Sequence, residues 1–270
     1  MACRDIQRKQ GFSLLEMAVV LAVLSLILAG TLGPMDRRIE QRERQANKVL
    51  LDQALESLYG FAVTNCRLPC PDCNPDIPVI GGGCLAGTGD DGIEDNPGGE
   101  CSRVEGNLPW ATLGVPELDA WGRRFRYRVR TSNPAPVPPQ PDFADATPAA
   151  PGPAVNCPPP MPAGQSASFA LIDPGNITVQ DESGGCTPVP PAALVANQVP
   201  AIIVSQGRTP DPAPPTVVPC LEAENADGDT VFMLPTVLTD PANVLYSDDM
   251  VIWVVPGILK IRMLQAQKLP

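Results

Sequence analysis

An apolar run near the N-terminus constrains this chain more than any other feature of its sequence. Residues 12–35 are apolar except for two serines, one threonine and one glutamate, Glu16. As an α-helix of about 24 residues, the run would extend roughly 36 Å, which is enough to cross the hydrocarbon core of a bilayer. Basic residues precede the run, and they predict an N-terminus that stays in the cytoplasm. We therefore predict one transmembrane helix over residues 12–35.

The helix is predicted to continue beyond this run. Residues 36–48 are mostly charged, and an apolar stripe begins within them that recurs at spacings of three, four or seven positions. The stripe consists of Ile39, Ala46, Leu50, Ala54, Leu58 and Phe61. Because these spacings place side chains on one face of a helix, we predict an amphipathic continuation over residues 36–63. Its apolar face either belongs to an exposed linker or lies on a sheet.

The clearest strand signal is the segment FRYRVR at residues 125–130, in which apolar and basic side chains alternate strictly. A period of two predicts a half-buried β-strand with Phe125, Tyr127 and Val129 on the core side. The three arginines are then expected on the solvent face. They are also suited to an acidic patch of a neighbouring subunit.

Three further apolar runs predict strands, at residues 168–172, 201–207 and 250–255. No segment between them has the pattern of a crossover helix, so we expect an antiparallel sheet of about four strands. Residues 257–267 predict a short closing helix. The predicted fold class is α+β, with the long N-terminal helix packed on this sheet.

The predicted strands are separated by long loops rich in proline and cysteine. The chain has 34 prolines, more than twice the average share of about 5%. All cysteines except Cys3 follow the apolar run. An even number of cysteines on one side of a membrane favours disulfides in an oxidising compartment over metal binding, with the pairing left open. The candidates are Cys66, Cys70, Cys73, Cys84, Cys101, Cys157, Cys186 and Cys220.

Composition excludes several classes of function. The chain has no histidine, which removes the usual general base near pH 7 and every catalytic arrangement built on it. Its net charge of −11 repels phosphate backbones, so no nucleic-acid partner is expected. We therefore expect a protein that is not an enzyme. An envelope enzyme using a cysteine thiolate or a bound metal is the remaining catalytic alternative.

Glu16 poses a chemical problem within the apolar run. A charged carboxylate at the centre of a membrane helix costs about 2.5–3.5 kcal/mol, and the cost is lower near a helix end. A cut between Gly11 and Phe12 would create a new ammonium group one helical turn away. That ammonium can neutralise Glu16 within one chain or between two parallel helices. A buried pair of this kind fixes the register of the helices more reliably than it adds stability.

The segment KQGFSLLE at residues 9–16 resembles the type III signal of the type IV pilin and pseudopilin superfamily. The resemblance implies that a prepilin peptidase cleaves between Gly11 and Phe12 and then methylates the new N-terminus at Phe12. It also implies that Glu16 is the assembly glutamate. The implied organisation is a leader at 1–11, an assembly helix at 12–35, its continuation at 36–63 and a globular domain at 64–270.

Later segments are similar to major pseudopilins of type II secretion, namely DAWGRRFRYRV at residues 119–129 and SQG at 205–207. This similarity implies a calcium ion bound in an acidic loop before the last strand. The candidate ligands are Asp227, Asp229, Asp248 and Asp249. The spacing around residues 225–230 does not fit an EF-hand loop, and a solvated acidic loop is the alternative.

The resemblance implies a structural subunit that waits in the inner membrane with its C-terminal domain in the periplasm. It then enters a filament of a type IV pilus or a type II secretion system. The implied partners are the prepilin peptidase, other pilin or pseudopilin subunits and an inner-membrane assembly platform. The long loops favour a minor pilin or pseudopilin. The alternative is a single-span anchored adhesin or metal-binding module that does not polymerise.

Overall fold

The computed structural model describes residues 13–74, 84, 89–96, 99–131, 142–144, 157–158, 167–181, 194–208, 220–235 and 246–269. At residues 26–37 and 220 it describes the backbone alone. The chain divides into two compact units, Met1–Gln45 and Ala46–Pro270. The predicted cleavage residues Gly11 and Phe12 lie outside the described residues, as does Cys186.

The elements follow one another in a simple order. The helices are α1 (Leu14–Asn65), α2 (Trp110–Leu113), α3 (Cys220–Ala226) and α4 (Pro256–Gln265). The strands are β1 (Glu105–Asn107), β2 (Arg126–Val129), β3 (Ile177–Asp181), β4 (Leu194–Val199), β5 (Ala201–Ser205), β6 (Val231–Leu234) and β7 (Met250–Trp253).

Helix α1 is the longest element and contains 52 residues. The hydroxyl of Ser13 accepts a hydrogen bond from the backbone N–H of Leu15 at 3.2 Å, as an N-cap residue does. The prediction of one continuous helix to about residue 63 is confirmed.

Within the part of the chain that the structure describes, no helix is both long and apolar enough to span a membrane. The transmembrane prediction for residues 12–35 is not confirmed and stays a prediction.

Four strands form the main sheet, in the order β1-β2-β5-β7, and all neighbours are antiparallel. The predicted class and the antiparallel sheet of about four strands are confirmed. In the register of this sheet, Tyr127 lies opposite Ile203, and Ile203 lies opposite Ile252. The predicted strands at 125–130, 201–207 and 250–255 correspond to β2, β5 and β7, and the predicted closing helix corresponds to α4.

One face of this sheet packs against the second part of α1 and against α4. Of the predicted stripe, Ala54 and Leu58 are buried there, Leu50 and Phe61 are partly buried, and Ile39 and Ala46 are exposed. Leu51 and Ala62, which the prediction did not include, are buried beside them, in one cluster with Phe125, Tyr127, Val129 and Ile203. Leu259 and Met263 of α4 belong to the same cluster. Between the two predicted alternatives, the amphipathic stripe therefore lies in a core and is not an exposed linker from residue 51 onward.

A second, three-stranded sheet was not predicted. Its order is β4-β3-β6, with β3 antiparallel to β4 and parallel to β6. Its apolar residues form a cluster with the other face of β5: Ile177, Val179, Val199, Ile202, Val204 and Phe232. All five residues of β5 are buried because this strand has packed layers on both of its faces.

The prediction that the arginines of FRYRVR face solvent is wrong. Arg126 and Arg128 are only 4% and 8% exposed to solvent. Both form ion pairs with Glu105 of β1, and the pair from Arg128 measures 2.7 Å. They also donate hydrogen bonds to the backbone carbonyls of Asn225 and Gly228, in and after α3. The face opposite the α1 core is therefore covered by the chain itself.

The predicted strand at residues 168–172 is also wrong. The segment forms a turn in which Asp173 accepts a hydrogen bond from the backbone N–H of Ala170 at 2.6 Å. The backbone N–H of Asp173 in turn donates to the carbonyl of Ala170. A side chain that closes a local turn competes with the strand ladder, and Ile172 stays 89% exposed.

Disulfide bonds are present, as predicted. Three join described residues: Cys66–Cys157, Cys70–Cys101 and Cys73–Cys84. The six sulfurs are consumed by these bonds and are not metal ligands. The partners of Cys186 and Cys220 lie beyond what the structure describes. Cys70 and Cys73 belong to one CxxC segment but bond to different partners, so sequence spacing did not determine the pairing.

The buried ion pairs of Glu105 give a stability prediction. The substitution Glu105→Gln would leave two buried guanidinium groups without their carboxylate, and we expect it to lower the free energy of unfolding by about 3–5 kcal/mol. Urea unfolding of the intact protein in detergent measures this loss. The matched control is Glu117→Gln, which removes the exposed ion pair with Arg124 and should cost less than about 1 kcal/mol. Equal costs for the two variants would contradict the buried network.

Candidate functional site

The first turn of α1 carries Glu16. A carboxylate in this position interacts favourably with the unpaired N–H groups at the helix N-terminus. This interaction partly offsets the cost of placing a charge among apolar residues. Gly11 and Phe12 lie outside the residues that the structure describes, so no distance between them and Glu16 is given.

The helix residues around Glu16 expose a large apolar surface. Leu14 and Leu15 are 92% and 74% exposed. Six more large apolar residues are also exposed: Met17, Val19, Val20, Leu21, Val23 and Leu24. Since burial of one such side chain contributes about 1.5–3 kcal/mol, a helix with this surface requires a lipid or protein cover.

A buried polar network holds α1 on the sheet where the second unit begins. The side-chain amide of Asn47 donates to the hydroxyl of Ser205 at 2.9 Å, and that hydroxyl donates to Asp119 at 2.7 Å. The other oxygen of Asp119 accepts from the backbone N–H groups of Trp121 and Arg123, each at 2.9 Å. The DAWG and SQG segments thus close one hydrogen-bonded network with the helix. The network ties both segments to α1.

The acids predicted as calcium ligands lie in two separate clusters. Asp248 and Asp249 lie with Glu222, and all three are buried. Several of their oxygens already accept hydrogen bonds. Asp248 accepts from the backbone N–H of Arg208, and Asp249 accepts from the amide of Asn225.

The second cluster consists of Glu224, Asp227 and Asp229. Burial, with the added charges of Asp227 and Asp229, raises the pKa of Glu224 to about 7. The pKa of Asp227 is also raised, by burial first and then by the charge of Asp229. Each aspartate accepts a hydrogen bond in a local turn, Asp227 from the backbone N–H of Asp229 and Asp229 from that of Val231.

Carboxylate oxygens are the ligands that Ca²⁺ prefers, and the ion takes about six to eight of them together with carbonyls and water. The mutual repulsion within Glu224, Asp227 and Asp229 is the kind of charge that a cation relieves. The donor set of this cluster therefore fits Ca²⁺. The sequence pattern missed Glu222 and Glu224 because both lie on α3, a short helix that follows a proline-rich segment and was not predicted.

Comparison with known protein families finds the prokaryotic N-terminal methylation motif over residues 6–32. This motif is the signature of type IV pilins and pseudopilins, and it marks the chain as a pilin-like substrate of prepilin peptidase. The resemblance drawn from KQGFSLLE is confirmed at the level of this signature. No curated protein and no solved structure matches the chain.

The pKa of Glu224 gives a prediction about pH. Its folded-state pKa of about 7 is above the ordinary value of 4.5, so folding strengthens proton binding. The resulting stability is complete below about pH 4.5 and is lost as the pH rises through 7. Glu224→Gln is neutral throughout. In EDTA we expect its Tm to exceed that of the wild type by about 2–4 °C at pH 8, a value discounted for solvent screening, and to equal it near pH 5.

Thermal unfolding of the intact protein, followed by circular dichroism, measures this difference. Glu100→Gln, at an exposed glutamate, is the control and should leave Tm unchanged at both pH values. A Tm difference for Glu224→Gln that is the same at pH 5 and pH 8 would show that the acidic cluster does not repel itself.

Proposed function

We propose that this chain is a structural subunit of a pilin-like filament, a minor pilin or pseudopilin of a type IV pilus or type II secretion system. The observation that carries the proposal is the exposed apolar start of α1 with Glu16 in its first turn, inside the methylation motif. The chain is the substrate of a peptidase and has no catalytic role of its own.

Assembly follows from the chemistry of the N-terminus. Before cleavage the chain waits in the inner membrane, with residues 12–35 across the bilayer and the globular domain in the periplasm. Cleavage after Gly11 creates an ammonium group at Phe12. In the filament this ammonium meets the carboxylate of Glu16 on a neighbouring helix, and both charges are neutralised within an apolar bundle.

The apolar residues from Leu14 to Leu24 provide the remaining contact between helices. On assembly, these side chains leave contact with lipid and pack against the helices of neighbouring subunits. The driving force is therefore close packing together with the ion pair, because lipid chains are as apolar as the partner helix. A contact of this kind between different surfaces of identical helices does not close, so its repetition gives a fibre.

The globular domain gives the second argument, which concerns the kind of subunit. Its core is fixed on the second part of α1, and its cysteine- and proline-rich loops add mass that a bulk repeating unit does not need. This favours a minor subunit. The implied partners are other pilin or pseudopilin subunits, the peptidase and an inner-membrane assembly platform.

The alternative from another class is an anchored adhesin or metal-binding module that keeps the same helix as a membrane anchor. In that case Glu16 has no partner helix, and its replacement has no effect on the protein's location.

The test of the proposal is Glu16→Ala in cells that make the filament. We expect the variant to reach the membrane but its recovery in sheared filaments to fall at least about tenfold, since the ammonium of each Phe12 would be buried without a carboxylate. Immunoblots of sheared and membrane fractions measure the ratio. Glu40→Ala is the matched control, because Glu40 lies on the same helix in an i,i+4 pair with Arg44. Equal recovery of the wild type and Glu16→Ala would favour the anchored module.

We further propose that Ca²⁺ binds at Glu224, Asp227 and Asp229, where the acids repel one another and remain accessible, and not at Asp248 and Asp249, which are buried with Glu222. The same thermal unfolding measurement on the wild type and Glu224→Gln, with Ca²⁺ in place of EDTA at pH 8, tests this proposal. Calcium should raise the Tm of the wild type and reverse the advantage of Glu224→Gln. A wild-type Tm that does not respond to calcium would leave the cluster as a solvated acidic loop.

A further inference from the structure

The disulfide Cys73–Cys84 differs from the other two in its accessibility. Cys66, Cys70 and Cys101 are fully buried, and Cys157 is 9% exposed. Cys84, in contrast, is only partly buried, while its partner Cys73 is fully buried. Of these six bonded cysteines, Cys84 is the least buried, so this bond is the most accessible of the three to a thiol reagent.

The same disulfide has a cation beside it. The Nη1 atom of Arg103 lies 3.9 Å from the sulfur of Cys73 and 3.7 Å from the sulfur of Cys84. Arg103 is itself buried, and burial lowers the pKa of its guanidinium by disfavouring the charged form. A positive group beside a sulfur favours the thiolate.

We propose that Cys73–Cys84 is a redox-sensitive clasp that exchanges with a dithiol reductant. The thiolate of the dithiol attacks the accessible sulfur of Cys84, the S–S bond breaks, and Cys73 leaves as a thiolate next to Arg103. The second thiol of the reductant then attacks the mixed disulfide at the reductant's own sulfur and releases Cys84. The dithiol is oxidised to a disulfide, and its two protons end on Cys73 and Cys84, so atoms and electrons balance.

The fold around Cys73 keeps other contacts when this disulfide is reduced. The backbone of Cys73 stays attached through two hydrogen bonds, from its N–H to Asp95 at 2.7 Å and to its carbonyl from the N–H of Asp90 at 3.1 Å. The neighbouring bond Cys70–Cys101 stays closed. The sequence separation across the clasp is 11 residues, against 31 and 91 for the other disulfides. In the chain-entropy account, its loss therefore costs the least stability of the three.

This inference does not depend on filament assembly. The test uses the intact oxidised protein in detergent, treated with increasing dithiothreitol at pH 7, then quenched with acid and alkylated. Peptide mass spectrometry identifies which cysteines have become free. We expect Cys73 and Cys84 to be alkylated together, at a rate at least about tenfold above that of the two buried disulfides, because a better leaving thiolate and access to its partner both speed exchange. Reduction of Cys70–Cys101 or Cys66–Cys157 first, or all three together, would overturn the proposal.

Two variants separate the role of charge from that of access. Arg103→Gln should slow reduction of Cys73–Cys84 by about tenfold, since the leaving thiolate loses its cation, whereas Arg103→Lys should keep most of the wild-type rate. Arg262→Gln, at an exposed arginine paired with Glu56, is the control and should leave the rate unchanged. The Tm of each variant identifies any loss of folding. An unchanged rate in folded Arg103→Gln, or a loss in Arg103→Lys equal to that in Arg103→Gln, would show that the guanidinium charge does not activate the bond.

Discussion

Helix α1 has two apolar surfaces, one buried within the chain and one exposed, and the rest of the structure depends on this difference. From residue 51 onward, the apolar stripe of α1 finds its partner inside the chain, against β2, β5 and α4. Between Leu14 and Leu24 the apolar side chains remain exposed. The buried apolar stripe fixes the globular domain to the helix. The exposed apolar surface requires a lipid or protein cover from outside the chain. The methylation motif over residues 6–32 covers that exposed part and includes Glu16.

The sequence predicted those elements whose pattern is local. The period of α1, the alternation of β2 and the apolar runs of β5, β7 and α4 each report which side chains share a face. Alternation shows that a strand has two faces but does not show what lies on the second one, and the arginines of β2 were misplaced for this reason. Their cover comes from Glu105 and from the carbonyls of residues 225 and 228, which lie far along the chain. The strands of the second sheet, β3, β4 and β6, adjoin proline- or glycine-rich segments and were not predicted.

The functional residues divide in the same way. Gly11, Phe12 and Glu16 lie within six positions of one another, and a contiguous motif carries them. The network of Asn47, Asp119 and Ser205 joins residues that are distant in sequence. The sequence therefore showed the DAWG and SQG segments but not the hydrogen bonds that they form with α1. Disulfide pairing and the grouping of Glu224 with Asp227 and Asp229 likewise depend on the folded chain. These contacts explain how the sheets and loops of the second unit are held on the part of α1 that follows residue 45.

The most direct test of the central claim is the mass of the intact native protein, isolated from cells that possess a prepilin peptidase. The account predicts a chain that begins at Phe12 and carries one added methyl group at its N-terminus. Such a chain has the amine that Glu16 requires. A native polypeptide that still begins at Met1 would lack this amine, and the assignment of Glu16 to filament assembly would be contradicted.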